Sequence, residues 1–194
     1  MFYTSRNVSV KINNSGIFAS RVALDTQTSI SPNYRIDKSI ASEHSVESPM
    51  GGGLSLTYYL TGEDPLKACL RQRNMNLSGN FAGLYFNSGR LTRYSFDLAP
   101  YGVIEVNVEI EFFEKVKGSY TPSPSTVPKE KLLSVGDVEF ASTTSIRNEK
   151  ILNLSYSYST EVTPRYAVGE TDAISYAVGK RTVTFNCATS DLSI

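Results

Sequence analysis

The chain has 194 residues, 40% of them hydrophobic, with nineteen basic and nineteen acidic side chains. That length supports one large all-β domain or two small ones with a real core, and the charge balance excludes a global field drawing the protein to nucleic acid or an anionic membrane. Two cysteines, Cys69 and Cys187, have no Cys-x-x-Cys spacing and no histidine beside either, which excludes a zinc motif and a disulfide-dense scaffold and leaves two half-buried thiols in a reducing compartment.

The opening Met1-Phe-Tyr-Thr-Ser-Arg6 lacks a basic region followed by an apolar stretch, and no window approaches the ~18 apolar residues of a membrane span. The expectation is a soluble chain made in the cytoplasm. Residues 7–12 predict a first strand with Val8, Val10 and Ile12 on one face, closed by the turn Asn13-Asn14-Ser15-Gly16. Residues 17–30 predict a long half-exposed strand in which Val22, Leu24, Thr26, Thr28 and Ile30 share a face. The segment Ile30-Ser-Pro32-Asn-Tyr34-Arg-Ile36-Asp37 then predicts a rigid corner, because proline fixes its own φ and pushes its predecessor into extended geometry. Residues 37–51 have no sustained period and end in glycines, predicting a mobile loop or hairpin arm ahead of the glycine-led strand 52–58.

Thr61-Gly62-Glu63-Asp64-Pro65 is the strongest helix start: Asp64 can cap, Pro65 suits the first helical position, and Leu66, Cys69 and Leu70 form one stripe. One short helix over about 64–73 is predicted. Residues 77–89 mix glycine with aromatics as bulged or closely approached strands do, and Asn87-Ser88-Gly89 reads as a second turn. Residues 91–98 predict a strand and 99–102 a turn. Residues 103–113 alternate most cleanly, with Ile104, Val106, Val108, Ile110 and Phe112 inward and Glu105, Asn107, Glu109 and Glu111 outward. The Pro/Ser-rich stretch 117–131 predicts an extended surface connector, and strands follow at 135–142, 151–160 and 182–188.

The Pro-x-Tyr segment returns as Val162-Thr-Pro164-Arg-Tyr166-Ala-Val168-Gly169. The whole reads as a single domain, 1–194, with an internal pseudo-repeat over 17–62 and 149–188. The fold class expected is all-β: an antiparallel β-sandwich or barrel with one short α-helix and long loops, built from two related halves.

Acid–base or nucleophilic chemistry needs a histidine, a shifted carboxylate pair or an activated thiol in a firm pocket. The single histidine, His44, falls in the 37–51 loop, and Gly51-Gly52-Gly53 precedes a strand rather than the helix N-terminus a phosphate cradle needs. No catalytic residue, metal or cofactor is expected. The outward row Glu105, Asn107, Glu109, Glu111 reads as a solvated face or as a lumen-facing lining that repels a phosphate backbone, so that DNA slides past without sticking. The tyrosines, with large contact area and a polar tip, read equally as barrel wall or as subunit contacts, and Tyr34, Tyr58, Tyr156, Tyr158 and Tyr166 are the inter-subunit candidates.

On the Pro-x-Tyr corners and the stretch Ser78-Gly-Asn-Phe-Ala-Gly-Leu-Tyr-Phe-Asn-Ser-Gly89, the chain resembles structural proteins of tailed bacteriophages, the tail-tube and baseplate-hub group above all. The resemblance implies a β-sandwich or barrel with one short helix and a long arm. It implies stacked homo-oligomeric rings, hexameric or trimeric with pseudo-sixfold symmetry, whose inner sheets form a conduit for DNA. Its implied partners are copies of itself and other virion proteins, with no membrane, and its implied place is the virion after synthesis in the host cytoplasm. The alternatives are a neck, baseplate or head-decoration protein, or a carbohydrate-binding adhesin sandwich.

Overall fold

A computed structural model describes residues 1–27, 30–34, 41–46, 50–72, 75–99, 102–122, 132–134 and 151–189. The period-2 alternation produces strands throughout. β1 (Phe2–Ile12) and β2 (Ser15–Gln27) form a hairpin in which Ile12 faces Ser15, leaving Asn13 and Asn14 as a two-residue loop at φ 46° and 65°. Asparagine tolerates this left-handed geometry, and a loop with both φ positive matches the twist of the strands it joins. β1 begins at Phe2 rather than at residue 7. In β2 the inward set switches from Ile17 and Ala19 to Val22 and Leu24 at an irregularity between Ala19 and Arg21, because one extra residue flips the side-chain phase.

β3 (Ile30–Tyr34) and β4 (Ala41–Val46) pair as a separate two-stranded ribbon, and β5 (Gly51–Tyr59) returns beside β2. After α1 (Lys67–Arg71) come β6 (Leu77–Phe81), β7 (Leu84–Leu98), β8 (Glu105–Phe112), β9 (Lys117–Gly118), β10 (Ile151–Arg165) and β11 (Ser175–Thr189). The strands β7-β6-β1-β2-β5-β8 run antiparallel, and pairing of β8 back to β7 closes them into a six-stranded barrel. The protein is therefore all-β and built on a barrel with one short helix. β10 pairs with β7 outside the ring and β11 with β10, so this hairpin extends the sheet beyond the barrel.

The barrel interior is a packed core. Val10, Val106, Ile110 and Phe112 are fully buried, and all of the predicted inward set Ile104, Val106, Val108, Ile110 and Phe112 lies inside. At one end Phe86 stacks on Phe112 with ring centroids 4.6 Å apart. Both rings fit because glycines line them: a Cβ on Gly79 would lie 2.3 Å from Phe86, and one on Gly52 would lie 2.6 Å from Phe112. The mixture of glycine and aromatics in 77–89 thus reflects close approach.

Several expectations are corrected. Pro32 and Pro164 are not corners: Pro32 lies within β3 opposite His44, and β10 runs through Pro164 opposite Tyr176. Pairing of β10 with β7 ends at Ser159, so among the described residues no strand lies on that side of β10 at Pro164, and the missing N–H interrupts no described ladder there. Asn87, Ser88 and Gly89 lie inside β7 rather than in a turn: pairing with β6 is irregular between Phe86 and Gly89, and Glu114 accepts from the N–H groups of Asn87 and Ser88 there. The connector begins with structure: Lys117 and Gly118 pair with β7, and Tyr120 stacks on Tyr3 at 4.9 Å. Residues 123–131 and the predicted strand 135–142 lie outside the described set, as do residues 35–36 of the Pro32 segment and residues 37–40 and 47–49 of the predicted loop, whose middle forms β4.

Candidate functional site

The best-ordered pattern in the sequence produces a ribbed polar face on the outside of β2, β5, β8 and β7. Register aligns the side chains in rows: Arg21, Thr57, Asn107 and Ser95; then Ala23, Ser55, Glu109 and Arg93; then Asp25, Gly53, Glu111 and Arg90. Glu105, Asn107, Glu109 and Glu111 all point outward as expected, with their neighbours Val106, Val108 and Ile110 buried. A polar exterior over an apolar interior is the inverse of a membrane-spanning barrel.

The row is less negative than its composition. Arg93 sits 3.4 Å from the Glu109 carboxylate, an exposed pair of small worth. The Thr57 hydroxyl donates to Asn107 Oδ1 at 2.9 Å. The Tyr59 hydroxyl donates to Glu105, which holds that phenol above its ordinary range. Burial first, then the charge of Glu109, raises the Glu111 carboxyl above the ordinary range against the pull of Arg93.

Glu111 borders a groove of about 540 Å³ on this face. The small residues Ala23, Gly53 and Ser55 and the carboxylates Asp25, Glu109 and Glu111 line it, as do Pro164 of β10 and Tyr166 just after it. An aromatic ring beside carboxylates on a small-residue floor is suited to a neutral polyhydroxy ligand or to a cationic segment. Among the described residues, no three His, Cys, Asp or Glu side chains gather in a way that could hold a metal ion.

The tyrosine candidates separate. Tyr58 and Tyr158 are 2% and 5% exposed, so their rings belong to the protomer's own core and are corrected as subunit contacts. Tyr156 is half-buried, stacked on Phe96 at 5.5 Å, and Tyr166 lines the groove. Tyr34 and His44 fall in β3 and β4, with side chains outside the described set.

Sequence reasoning missed the role of Asp64. It was expected to cap the helix, but its carboxylate is shared by the barrel: it accepts from Tyr58 at 2.9 Å, from the Tyr94 hydroxyl, and from the Leu66 N–H at 2.8 Å. The helix consequently begins at Lys67, with Leu66 and Cys69 buried against the barrel. Burial first, and Asp64 second, push both phenols well above their ordinary range. The same causes push the Cys69 thiol up to about 11. A lone aspartate before a proline carries no sign that tyrosines six and thirty residues away will both reach it.

Barrel, outer hairpin and acidic groove together define a closed antiparallel β-barrel with an appended two-stranded arm. No known family model matches the chain, and no curated protein matches it in sequence.

Proposed function

We propose that the protein is an architectural subunit that assembles with copies of itself, a virion structural protein of the tail-tube kind whose rings form a conduit for DNA. The observation that carries this reading is the β10–β11 hairpin, two fifteen-residue strands that continue the sheet off a closed barrel and present apolar side chains, Val183 at 56% and Phe185 at 53% exposure, beyond it. A barrel alone is already satisfied, and a sheet that runs on past closure offers a place for a neighbour. The outward carboxylates Glu105, Glu109 and Glu111 suit a wall along which DNA passes without adhering, since like charge forgoes the counterion release that drives DNA binding. The phage resemblance supplies the ring and the virion.

Electron microscopy of concentrated purified protein tests the reading. Rings with an open lumen are the expected result; protein that remains monomeric at every concentration refutes it. The groove favours a second reading, a glycan-binding adhesin, because Tyr166 stands with Asp25, Glu109 and Glu111 around its small-residue floor. A glycan array separates the two: specific binding abolished by Tyr166→Ala supports the adhesin, and an array without signal supports the architectural subunit.

A further inference from the structure

We propose that the protein holds a single halide-sized anion, chloride in ordinary solution, between its outer hairpin and the helix, gripped by the Arg181 guanidinium and the Thr160 hydroxyl. Both residues stand on the β10–β11 hairpin, Thr160 directly opposite Arg181. Residues so placed in an antiparallel pair carry their side chains on one face, about 4.5–5.5 Å apart at Cβ. The same face carries the buried Tyr158, two residues before Thr160, and the central carbon of the guanidinium lies 5.9 Å from the centre of that ring. There Arg181 Nε, Arg181 Nη2 and Thr160 Oγ1 are shut off from solvent, and none of the three has a hydrogen-bond partner among the described residues.

Buried donors are otherwise satisfied almost without exception. Arginine sharpens the demand, because it stays protonated and cannot shed its charge as a buried lysine does, and a buried charge without compensation costs far more than a neutral group. A cavity of about 20 Å³ opens beside Tyr158 and Thr160, bounded also by Cys69 of α1, by Gln72 at the end of that helix and by Arg90. No carboxylate lines it among the described residues, and the Cys69 thiol, pushed up to about 11, carries no charge near neutral pH. Volume selects the guest: one water-sized particle needs about 10–15 Å³ of such space, so the cavity takes a single atom-sized occupant and is too small for phosphate, sulfate or a carboxylate. A water molecule accepts from the guanidinium but leaves its charge unbalanced. A halide accepts from all three donors and cancels the charge. The site shares no lining residue with the acidic groove, so it stands whether the protein builds rings or binds glycans.

The test is thermal unfolding of the full chain with chloride titrated against gluconate at constant ionic strength, so that screening is fixed and only an anion small enough for the cavity varies. Chloride is expected to raise the wild-type melting temperature along the logarithmic curve of a single site, by about 3–6 °C at roughly ten times its dissociation constant. Thr160→Val, which loses one donor to the anion, is expected to weaken chloride at least about tenfold. Arg181→Met is expected to abolish the response. Crystals grown in sodium bromide give a readout that needs no variant, an anomalous peak within hydrogen-bonding distance of Arg181 Nε, Arg181 Nη2 and Thr160 Oγ1. A wild type that melts equally in both salts overturns the inference, as does either variant keeping the full chloride response. So does a crystal in which water, or a carboxylate of the chain, occupies the bromide position.

Discussion

Gly52 and Gly53 are neighbours on β5, and substituting each with alanine tests the barrel's register directly. Gly52 is opposite Phe112 and points inward: an added Cβ lies 2.0 Å from the Asp25 carbonyl oxygen and 2.6 and 2.8 Å from Phe112 ring atoms. The backbone oxygen must retreat by more than about 1 Å to restore ordinary contact, and the ring, fully buried and stacked on Phe86, has no room to swing. Overpacking of this kind costs about 1–3 kcal/mol, and Gly52→Ala belongs at the upper end. Gly53 points outward, where a Cβ meets only the Ile110 carbonyl oxygen at 3.9 Å. Gly53→Ala is expected to be neutral or to stabilise by about 0.4–1 kcal/mol through the reduced freedom of the unfolded chain. For a chain of this size 3 kcal/mol lowers the melting temperature by about 6–12 °C. Urea and thermal unfolding of both variants are the assay. Equal destabilisation, or an unchanged Gly52→Ala, refutes the assigned faces of β5.

Asp64→Ala strands two buried phenol hydroxyls and is expected to cost about 2–4 kcal/mol in urea unfolding, with Asp64→Asn losing less because one oxygen still accepts. Tyr58 and Tyr94 also set the alkaline limit. Their folded values are raised above the ordinary 10.0, so the stability they contribute is fully present below about pH 10 and is lost as pH rises further, when the unfolded chain releases protons that the folded chain keeps. Urea midpoints from about pH 9 to about pH 12 should fall for the wild type and fall less for the Tyr58→Phe, Tyr94→Phe double variant; parallel curves refute the assignment. Thiol labelling near neutral pH should modify Cys187 first. The buried Cys69, its thiol held up to about 11, should react only on unfolding, and two equally fast thiols refute its burial.

The alternation at 103–113 was legible as a strand with Glu105, Asn107, Glu109 and Glu111 outside, because side-chain facing depends on adjacent residues alone. So was the turn at Asn13 and Asn14, and the close packing foretold by glycine among aromatics at 77–89. Pro32 and Pro164 misled because a proline breaks a strand only where its N–H is needed, and that depends on whether a third strand lies alongside. Asn87-Ser88-Gly89 misled because the carboxylate that accepts from the Asn87 and Ser88 amides within β7, Glu114, comes 27 residues after Asn87. Asp64 misled as a helix cap, because its neighbours in sequence do not show that its carboxylate accepts from Tyr58 and Tyr94, which come from two different strands.

By itself the sequence determined that this chain is mostly β with a short helix, and which side of strands such as 103–113 is apolar, since both follow from a two-residue period and from residue type. Only the tertiary structure decided that six strands close while β10 and β11 remain outside the ring, which placed Tyr58 and Tyr158 in the core and left Val183 exposed. Closure is set by pairings between residues far apart in the chain, and no local period encodes which strands the ring takes in.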